Sequence, residues 1–423
     1  MQLDQDWLTA QGVDAALLQF ISIAFLDGYP KDFGVAVSGG GDSMALLHLA
    51  HRFSQHVGIQ LHAVTIDHQL RAQSALEAAM VADVCAQLSV PHDVIRWDKA
   101  DVAGNLSAAA RDARYALIAG WAQQMQIADV LLGHTKNDQA ENFLMALTRS
   151  AGIDGLSAMA RRFRTGHVTF ARPLLNTNRQ DLRDYLVRFG IGWVDDPTNE
   201  DDKYLRARMR KAMPVLNALG ISEDNLLEVS VHARSTRAAL EHQVVMAAED
   251  HATFDRGDLV IKRAHQGRSM FPEIERRLTR KIVQWVGQAP YPPRQSSLDH
   301  AMTELRANTS VTIGGCILTP DVHTWRITRE HNAVKDTVAD TRDLWDERWQ
   351  LDGPHAPDLQ IRALGEGILD CPDWRETGMP RISLLASPAI WRGNTLISAP
   401  LAGYNDQWTA RIVADFHSYL LAH

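Results

Sequence analysis

The fold is decided by the stretch Phe33-Gly-Val-Ala-Val-Ser-Gly-Gly-Gly-Asp-Ser-Met-Ala-Leu-Leu47. It begins as an apolar run typical of a β-strand and continues as an amphipathic run typical of a helix. Three glycines, Gly39, Gly40 and Gly41, lie between the two runs and let backbone N–H groups approach a bulky anion. A helix beginning near Asp42 adds the positive end of its dipole. The stretch therefore predicts a phosphate-binding turn between a strand and a helix.

This turn differs from two other phosphate loops. It lacks the Gly-Lys-Ser/Thr ending of a Walker loop, and its glycine spacing is not that of a dinucleotide fingerprint. The pattern Ser-Gly-Gly-x-Asp-Ser over Ser38–Ser43 resembles the PP-loop of the ATP pyrophosphatases, which cleave ATP between the α and β phosphates. The alternative, a glycine-rich turn without a ligand, is disfavoured by the full motif in its strand–turn–helix context.

Length and composition bound the class of protein. A chain of 423 residues exceeds one ordinary core and predicts two or three domains. Hydrophobic residues make up 45% and charged residues 22%, and no stretch reaches the roughly 18 apolar residues of a membrane span. The polar, acidic start is unlike a secretory signal, so a cytoplasmic location is expected. Cys85, Cys316 and Cys371 lie far apart, which excludes a disulfide framework and a CxxC pair.

The net charge of -8 is unevenly distributed. Residues 336–376 are rich in acids, whereas residues 161–211 and 262–281 are rich in bases. Because a polyanion is bound by a local face, this distribution is compatible with an RNA partner. Charge alone fits solvated helix faces equally well.

Strand-like and helix-like runs alternate through the first half of the chain. Strands are expected near 34–38, 61–67, 93–97, 130–134 and 168–175, with helices near 42–56, 74–88, 106–124, 138–149 and 179–189. Such alternation predicts an α/β fold with a doubly wound, mostly parallel, Rossmann-like sheet. Ligands of such sheets bind beyond the carboxyl ends of the strands.

Three domains are expected. A basic helix over 204–211, stopped by Pro214, ends a nucleotide-binding catalytic domain over 1–216. A mainly helical domain over 217–332 follows, with a hairpin-like run at 259–262 and a β-type pair at 310–318 and 324–328. A small mixed C-terminal domain with a tryptophan-rich core occupies 333–423.

Polar residues that could take part in binding or catalysis follow the predicted strands. Asp42 would lie beside a triphosphate, where two anions repel unless a cation lies between them, so it is interpreted as a Mg²⁺ ligand. Its alternative role is an N-cap of the following helix. Ser38 and Ser43 can donate hydroxyl protons to phosphate oxygens, although Ser43 also fits an ordinary first-turn serine.

Two further segments are candidate nucleotide contacts. Asp67, His68 and Arg71 close the second strand and suit ribose, base or phosphate, although a polar loop before a helix explains them equally well. Arg111 and Arg114 share one face of a helix and can neutralise a polyphosphate. Their alternative role is pairing with surface carboxylates.

The fourth strand ends in Gly133 and His134 and leads into a helix. Asp138 and Glu141 are three residues apart and share a face, so they could hold a metal, accept a proton or bind an ammonium group. Acids in a first helical turn also simply complement the helix dipole. His134 is a candidate phosphate contact or proton carrier.

Five segments in this order resemble the bacterial tRNA(Ile)-lysidine synthetase family, which belongs to the PP-loop enzymes. They are SGGxDS, DHxLRxxS, NxxxxARxxRY, GHTxxDQAEx, and RPLL with WxxDPTN and RxRxR, all within 33–211. The resemblance implies that ATP adenylates O2 of the wobble cytidine in CAU-anticodon isoleucine tRNA and releases pyrophosphate. Free lysine then attacks carbon 2 and expels AMP, which leaves lysidine.

The resemblance also implies residue roles. The pyrophosphate and nucleotide contacts would be Ser38, Gly39, Gly40, Gly41, Asp42, Ser43, Asp67, His68 and Gly133. Asp42 would support Mg²⁺, and Arg111, Arg114 and His134 would assist adenylation. Asp138 and Glu141 would bind lysine, Arg206, Arg208 and Arg210 would follow the tRNA backbone, and the mainly helical domain over 217–332 would bind tRNA.

One departure from the family pattern is Asn137, where an aspartate is common. It keeps hydrogen bonding and loses a charge, and it is the one support for a non-catalytic RNA- or nucleotide-binding protein. Among PP-loop enzymes, a tRNA thiolase would need a CxxC, and GMP or asparagine synthetase would need an amidotransferase cysteine, and neither is present. A homodimer is left open.

Overall fold

The computed structural model describes residues 13–25, 28–69, 74–97, 106–195, 201–263, 270–289, 291–413 and 415–422. The chain forms two compact units, Met1–Arg237 and Ala238–His423. No helix in the described ranges is long and apolar enough to cross a membrane. Arg71, the first residue of the NxxxxARxxRY motif (Asn105) and residues 196–199 of the WxxDPTN motif lie outside the described residues. The division into three domains stays a prediction.

The first unit is built on a six-stranded sheet with the order β3-β2-β1-β4-β6-β5. All neighbours pair in parallel except β5 and β6, which form an antiparallel hairpin. This confirms the predicted mostly parallel sheet and adds a hairpin that was not predicted. The strands are β1 (Asp32–Ala36), β2 (Gln60–Asp67), β3 (His92–Arg96), β4 (Asp129–Leu132), β5 (Arg162–Thr165) and β6 (Val168–Ala171).

Helices cover both faces of this sheet. On one face Phe33 and Val35 of β1 are fully buried in a core shared with α1, α2 and α7, and on the other Val64, Val130 and Phe170 pack against α4. The helices are α1 (Val13–Ser22), α2 (Gly41–Val57), α3 (Ser74–Gln87), α4 (Leu106–Gln124), α5 (Lys136–Leu147), α6 (Ile153–Leu156), α7 (Arg179–Arg188) and α8 (Leu205–Ala218).

The prediction that Pro214 stops the basic helix was wrong. Helix α8 continues to Ala218 with Pro214 inside it. Proline removes one backbone hydrogen bond. Here Pro214 is exposed, whereas its neighbour Met213 is buried in a cluster with Ala140 and Phe143 of α5. Tertiary packing of the buried face therefore holds the helix together through the proline.

The second unit begins inside α9 (Glu223–His251) and contains a five-stranded antiparallel sheet with the order β7-β8-β11-β10-β9. The predicted hairpin and β-type pair are thus parts of one sheet. The strand predicted over 310–318 is split by Gly314 and Gly315, whose φ values of +59° and +71° make the turn between β9 and β10. The elements are β7 (Ala252–Asp255), β8 (Asp258–Lys262), α10 (Pro272–Gly287), α11 (Gln295–Arg306), β9 (Val311–Ile313), β10 (Cys316–Pro320) and β11 (Thr324–Arg329).

The C-terminal part of this unit has the expected mixture of short elements. A four-stranded sheet, β12-β14-β15-β16, and a two-stranded sheet, β13-β17, pack around Trp345, Trp349 and Trp408, which are buried in one cluster. The elements are α12 (His331–Val334), β12 (Ala339–Asp340), β13 (Trp349–Asp352), β14 (Gln360–Ala363), α13 (Arg381–Leu385), β15 (Pro388–Arg392), β16 (Thr395–Ser398), β17 (Thr409–Ile412) and α14 (Phe416–Ala422).

Candidate functional site

The carboxyl ends of four adjacent strands, β2, β1, β4 and β6, bring the predicted polar segments to one edge of the sheet. β1 leads into the glycine loop, β2 ends at Asp67, and β4 is followed by Gly133 and His134. Strand β6 leads toward α7, which begins at Arg179. The strand order therefore places the first turns of α2, α5 and α7 side by side.

The glycine loop is closed by its own serines. Gly39 has a φ of +83°, and Gly40 is the N-cap of α2, which corrects the alternative that Asp42 caps this helix. The Ser43 hydroxyl donates to the carbonyl of Gly40 at 2.9 Å and accepts from the backbone N–H of Ser38 at 3.1 Å. Ser43 therefore shapes the loop, whereas Ser38 is exposed at its surface.

Two neighbouring segments press closely on this loop. A Cβ atom on Gly133 would lie 3.1 Å from the Cα of Ser43 and 3.2 Å from the carbonyl oxygen of Asp42, so a larger residue there would push the start of α2 away from β4. On the other side the backbone N–H of Val194 donates to the carbonyl of Gly39 at 3.0 Å. The segment after α7 thus supports the loop.

Arg179 lies between three carboxylates. Its Nε donates to Asp42 at 2.9 Å, one terminal nitrogen donates to Asp138 at 3.1 Å, and the other donates to Glu141 at 3.2 Å. The arginine side chain is 17% exposed. Burial alone would lower the pKa of Arg179, but Asp138, Asp42 and Glu141 raise it above the ordinary value. The guanidinium therefore stays charged and neutralises part of the negative charge of the three carboxylates.

The two acids nearest the glycine loop differ electrostatically. Burial raises the pKa of Asp42, and Arg179 offsets this only in part. Burial would also raise the pKa of Asp138, but Arg179, Arg206 and a hydrogen bond from the Thr135 N–H hold it below the usual range. Thr135 and Asp138 form a reciprocal capping box, with the Thr135 N–H donating at 2.8 Å. Asp138 is thus a fixed, ionised carboxylate.

Glu141 is the most enclosed of the three acids, with a side-chain exposure of 2%. Besides Arg179, it contacts Arg210, whose Nε donates at 2.9 Å, and Arg206, whose Nε lies 3.3 Å from the other oxygen. Arg206 also donates to Asn142 at 2.7 Å. Two of the three arginines predicted to follow tRNA are therefore paired within the unit.

Arg208 differs from its two neighbours on α8. Its side chain is exposed, and it has no ion pair among the residues that the structure describes. Arg206 and Arg210 are four residues apart and share a helix face, whereas Arg208, two residues from each of them, lies off that face. Of the predicted set, Arg208 is the residue that presents an open charge.

Asn137 has a structural contact that explains its presence. Its side-chain oxygen accepts the backbone N–H of Arg179 at 2.8 Å. An N–H in the first turn of a helix has no partner within the helix, so Asn137 satisfies a group that would otherwise be unbonded. This hydrogen bond needs only a side-chain oxygen, so it does not require a negative charge at this position.

His134 faces a group of arginines. The pKa of His134 is lowered to about 3, chiefly by burial. Asp138 acts to raise this pKa, whereas the charges of Arg172, Arg114 and Arg111 lower it further. Within the described part of the chain, the buried Nδ1 of His134 and the Nε of Arg114 have no hydrogen-bond partner. A neutral imidazole beside cations is suited to contact an anion by a hydrogen bond, and it does not favour the proton-carrier alternative.

The end of β2 is ordered by a local network. One oxygen of Asp67 accepts from the Ser74 hydroxyl at 2.7 Å and from the Gln69 N–H at 2.9 Å. The ring of His68 lies edge-on to Trp97, with ring centres 5.6 Å apart. These residues form a polar rim beside the glycine loop.

A cavity of about 210 Å³ opens beside Glu141. It is lined by Asn137, Glu141, Arg179, Arg210, Met213, Pro214, Asn217 and Glu223. Its walls combine carboxylates, guanidinium groups and a short apolar strip, which suits a small zwitterion with an aliphatic chain.

Within the described ranges, no group of three or more His, Cys, Asp and Glu residues has the arrangement of a metal centre. Asp42 offers a single carboxylate, one oxygen of which accepts from Arg179. Magnesium in nucleotide sites is commonly held by one or two carboxylates together with substrate phosphates. Asp42 therefore fits a cation that arrives with a nucleotide.

Sequence reasoning missed Arg179 as a site residue and treated it only as the start of a helix. The available signal was its place at the first turn after a strand that neighbours β4, the same place that Asp42 and Asp138 occupy after their own strands. The motifs give no role to Arg172, which begins RPLL, or to Val194, which is a variable position of WxxDPTN. Their contacts depend on strand order, which sequence spacing does not reveal.

Several known proteins are similar to this chain. A family model described as a PP-loop domain matches residues 16–216. A protein of Ruegeria pomeroyi named tRNA(Ile)-lysidine synthase is 43% identical over 398 residues, covering 93% of this chain and 95% of the relative. One of Brucella canis with the same name is 31% identical over 414 residues, covering 94% and 91%. Among solved structures, U34-tRNA thiolase NcsA from Methanococcus maripaludis matches with a TM-score of 0.44 at 12% identity, covering 52% of this chain and 78% of that one.

Proposed function

The chain belongs to the tRNA(Ile)-lysidine synthase family, and from this premise we propose that it joins free lysine to carbon 2 of the wobble cytidine of CAU-anticodon isoleucine tRNA. It is an ATP-using ligase of the PP-loop class. The reaction passes through an adenylated tRNA and yields lysidine, AMP and pyrophosphate. The observation that carries the proposal is the glycine loop lying beside the three carboxylates gathered by Arg179.

The adenylation step belongs to the edge formed by β1, β2 and β4. The N–H groups of Gly39, Gly40 and Gly41 and the hydroxyl of Ser38 hold the β and γ phosphates while the cytidine O2 attacks the α phosphorus. Arg111 and Arg114 stabilise the charge that develops on the departing pyrophosphate. His134 contributes a hydrogen bond as a neutral ring, since its pKa of about 3 keeps it uncharged at neutral pH.

Asp67 and His68 are proposed to contact the nucleoside part of ATP. Gly133 lies on the other side of β1 and lets the start of α2 approach β4 closely. Asp42 would hold Mg²⁺ together with the phosphates, and such a cation would neutralise the charge of the triphosphate. The Asp42 oxygen that accepts from Arg179 fixes the direction of this carboxylate.

The lysine site is proposed at Asp138, Glu141 and the adjoining cavity. The attacking amine must be neutral while the other nitrogen of lysine stays charged, so the site has to hold one cation and accept one proton. Carboxylates on one face of α5 can divide these tasks. Met213 and Pro214 line the cavity where the aliphatic chain of lysine would lie, and Arg210 lines it where a carboxylate would be neutralised.

The tRNA is proposed to contact the basic surface that includes Arg208, whose charge is open. Arg206 and Arg210 would reach phosphate only by leaving Glu141. A cytoplasmic location and a homodimer stay predictions. The non-catalytic alternative loses its support, because Asn137 has a structural contact that does not need a charge.

The test is incubation with ATP, labelled lysine and total tRNA, followed by digestion to nucleosides. Labelled lysidine that depends on ATP is the expected result. Pyrophosphate release without incorporation of lysine would instead identify a different nucleotidyl transfer. If neither pyrophosphate nor lysidine forms, the result would support the binding-protein alternative.

A further inference from the structure

Arg179 joins two helices that begin at neighbouring strands. It contacts Asp42 in the first turn of α2, Asp138 in the first turn of α5 and Glu141 in the second turn of α5. In the proposed function the first residue belongs to the ATP step and the other two belong to the lysine step. One side chain is therefore bonded to the machinery of both steps.

The arginine is itself held in place. It is the first residue of α7, its backbone N–H is bonded to Asn137, and its side chain is mostly buried. A guanidinium is planar and projects its N–H groups in fixed directions. Three carboxylates bonded to three different nitrogens of one plane cannot move independently of one another.

The charges explain why a cation is needed here. Asp42, Asp138 and Glu141 lie around one point in a poorly solvated region, where like charges repel more strongly than in water. Arg206 and Arg210 neutralise Glu141 from the side of α8, but they make no contact with Asp42. Arg179 therefore links Asp42 of α2 to Asp138 and Glu141 of α5.

We propose that Arg179 is a positioning residue for both half-reactions. It holds Asp42, which acts in the ATP step, in a fixed position relative to Asp138 and Glu141, which act in the lysine step. This inference rests on the proposed function. Its consequence is a distinctive pattern of defects. Variants of a single carboxylate would impair one step, whereas loss of Arg179 would impair both.

The test measures the two steps separately in Arg179→Ala and Arg179→Lys. The first is the rate of tRNA-dependent pyrophosphate release at saturating ATP, without lysine. The second uses adenylated tRNA made by the wild-type protein, then isolated, and measures lysidine formation against lysine concentration. Thermal midpoints of each variant report folding.

For Arg179→Ala we expect pyrophosphate release to fall by about 100-fold, and the lysine concentration for half-maximal rate to rise by about 10-fold. Arg179→Lys keeps the charge but has one nitrogen for three acids, so both steps should be impaired less severely. Guanidinium chloride, well below denaturing concentrations, should restore part of both rates in Arg179→Ala, while equal sodium chloride should not.

The matched control is Arg188→Ala in the last turn of the same helix, where the exposed arginine lies over the ring of Tyr185, 5.9 Å from its centre. We expect normal rates in both steps and no response to guanidinium. A defect of Arg179→Ala confined to one step, or normal rates in Arg179→Lys, would overturn the inference. If the wild-type protein forms no lysidine, the proposed function fails instead, so the two failures are distinguishable.

Discussion

At the scale of single residues, Asp42 is the carboxylate closest in sequence to the glycine loop. We expect Asp42→Asn to reduce pyrophosphate release by at least about 100-fold, because a neutral amide cannot replace a charge beside a triphosphate and its cation. Folding should persist, since the amide oxygen still accepts from Arg179. Pyrophosphate release at a near-normal rate would remove Asp42 from the ATP site, and Asp184→Asn on the exposed face of α7 is the control.

Gly133 makes a sharper test of the packing around the loop. A Cβ there would meet the backbone of Asp42 and Ser43 at 3.1–3.2 Å, so the first turn of α2 must shift in Gly133→Ala. We expect ATP-dependent pyrophosphate release to fall by about 10-fold, since small displacements of reacting groups are costly.

The matched control is Gly120→Ala. Gly120 lies within α4, and a Cβ there has nothing within 4 Å. This variant should keep normal activity and gain roughly 0.5–1 kcal/mol in free energy of unfolding, since alanine is the better helix former. Equal activity losses in both variants would show that the contact at Gly133 is unimportant.

Glu141 combines a proposed role with a structural one. We expect Glu141→Gln to raise the lysine requirement and to let adenylated tRNA accumulate when ATP is supplied. The change also leaves three arginines with one fewer negative partner, so the free energy of unfolding should fall by about 2 kcal/mol, allowing for the partial exposure of Arg206 and Arg210. A mutant that loses adenylate formation but keeps a normal lysine dependence would assign Glu141 to the ATP step.

At the scale of elements, helix α8 carries arginines with different surroundings. Arg208→Ala should reduce the slope of log tRNA affinity against log salt by about one unit and leave the thermal midpoint unchanged, because one phosphate contact is lost. Arg206→Ala with Arg210→Ala should lower stability and raise the lysine requirement. Identical salt slopes in the wild type and Arg208→Ala would show that this surface does not bind tRNA.

Helix and strand ends show where local rules are overridden. Pro214 has the signature of a helix end, but α8 passes through it because Met213 is buried against α5. In contrast, Gly314 and Gly315 split a predicted strand because their positive φ values suit a turn. Packing outweighed local preference in the first case, and local preference prevailed in the second.

At the scale of the whole molecule, buried histidines make stability depend on pH. Burial lowers the pKa of His134 to about 3, from an ordinary 6.5. Below about pH 6.5 the unfolded chain binds a proton that the folded protein does not, so stability is lost as pH falls toward 3, by at most about 1.4 kcal/mol per pH unit. His48, with its pKa lowered to about 4 chiefly by burial, adds an effect of the same sign.

Urea denaturation at pH 7.5, 6.5 and 5.5, values chosen to span roughly the ordinary histidine pKa, measures this loss. We expect His134→Gln to show a smaller decrease between the upper and lower pH than the wild type. The exposed His56 serves as a control in His56→Gln, which should follow the wild-type curve. An unchanged pH dependence in His134→Gln would mean that folding does not lower the pKa of this ring.

Much of this molecule follows from the sequence alone. The alternation of apolar strands with amphipathic helices determines the mostly parallel sheet, and the ordered motifs from Ser38 to Arg210 determine the family. The glycine loop predicts a phosphate site. These features are local, because the conformations of turns, strands and helices depend on residues close together in the chain. Sequence also places Asp42, Asp138 and His134 at strand ends, and hence at one edge.

Only the tertiary structure decided which charges meet. Arg179 reaches Asp42 and Asp138 because β1, β4 and β6 are adjacent in the sheet, although they are distant in sequence. Glu141 is enclosed by arginines from α7 and α8, because α8 packs against α5 through Met213. Ion pairs between helices depend on strand order and helix packing, which minimise the free energy of the whole unit and leave no signature in local spacing.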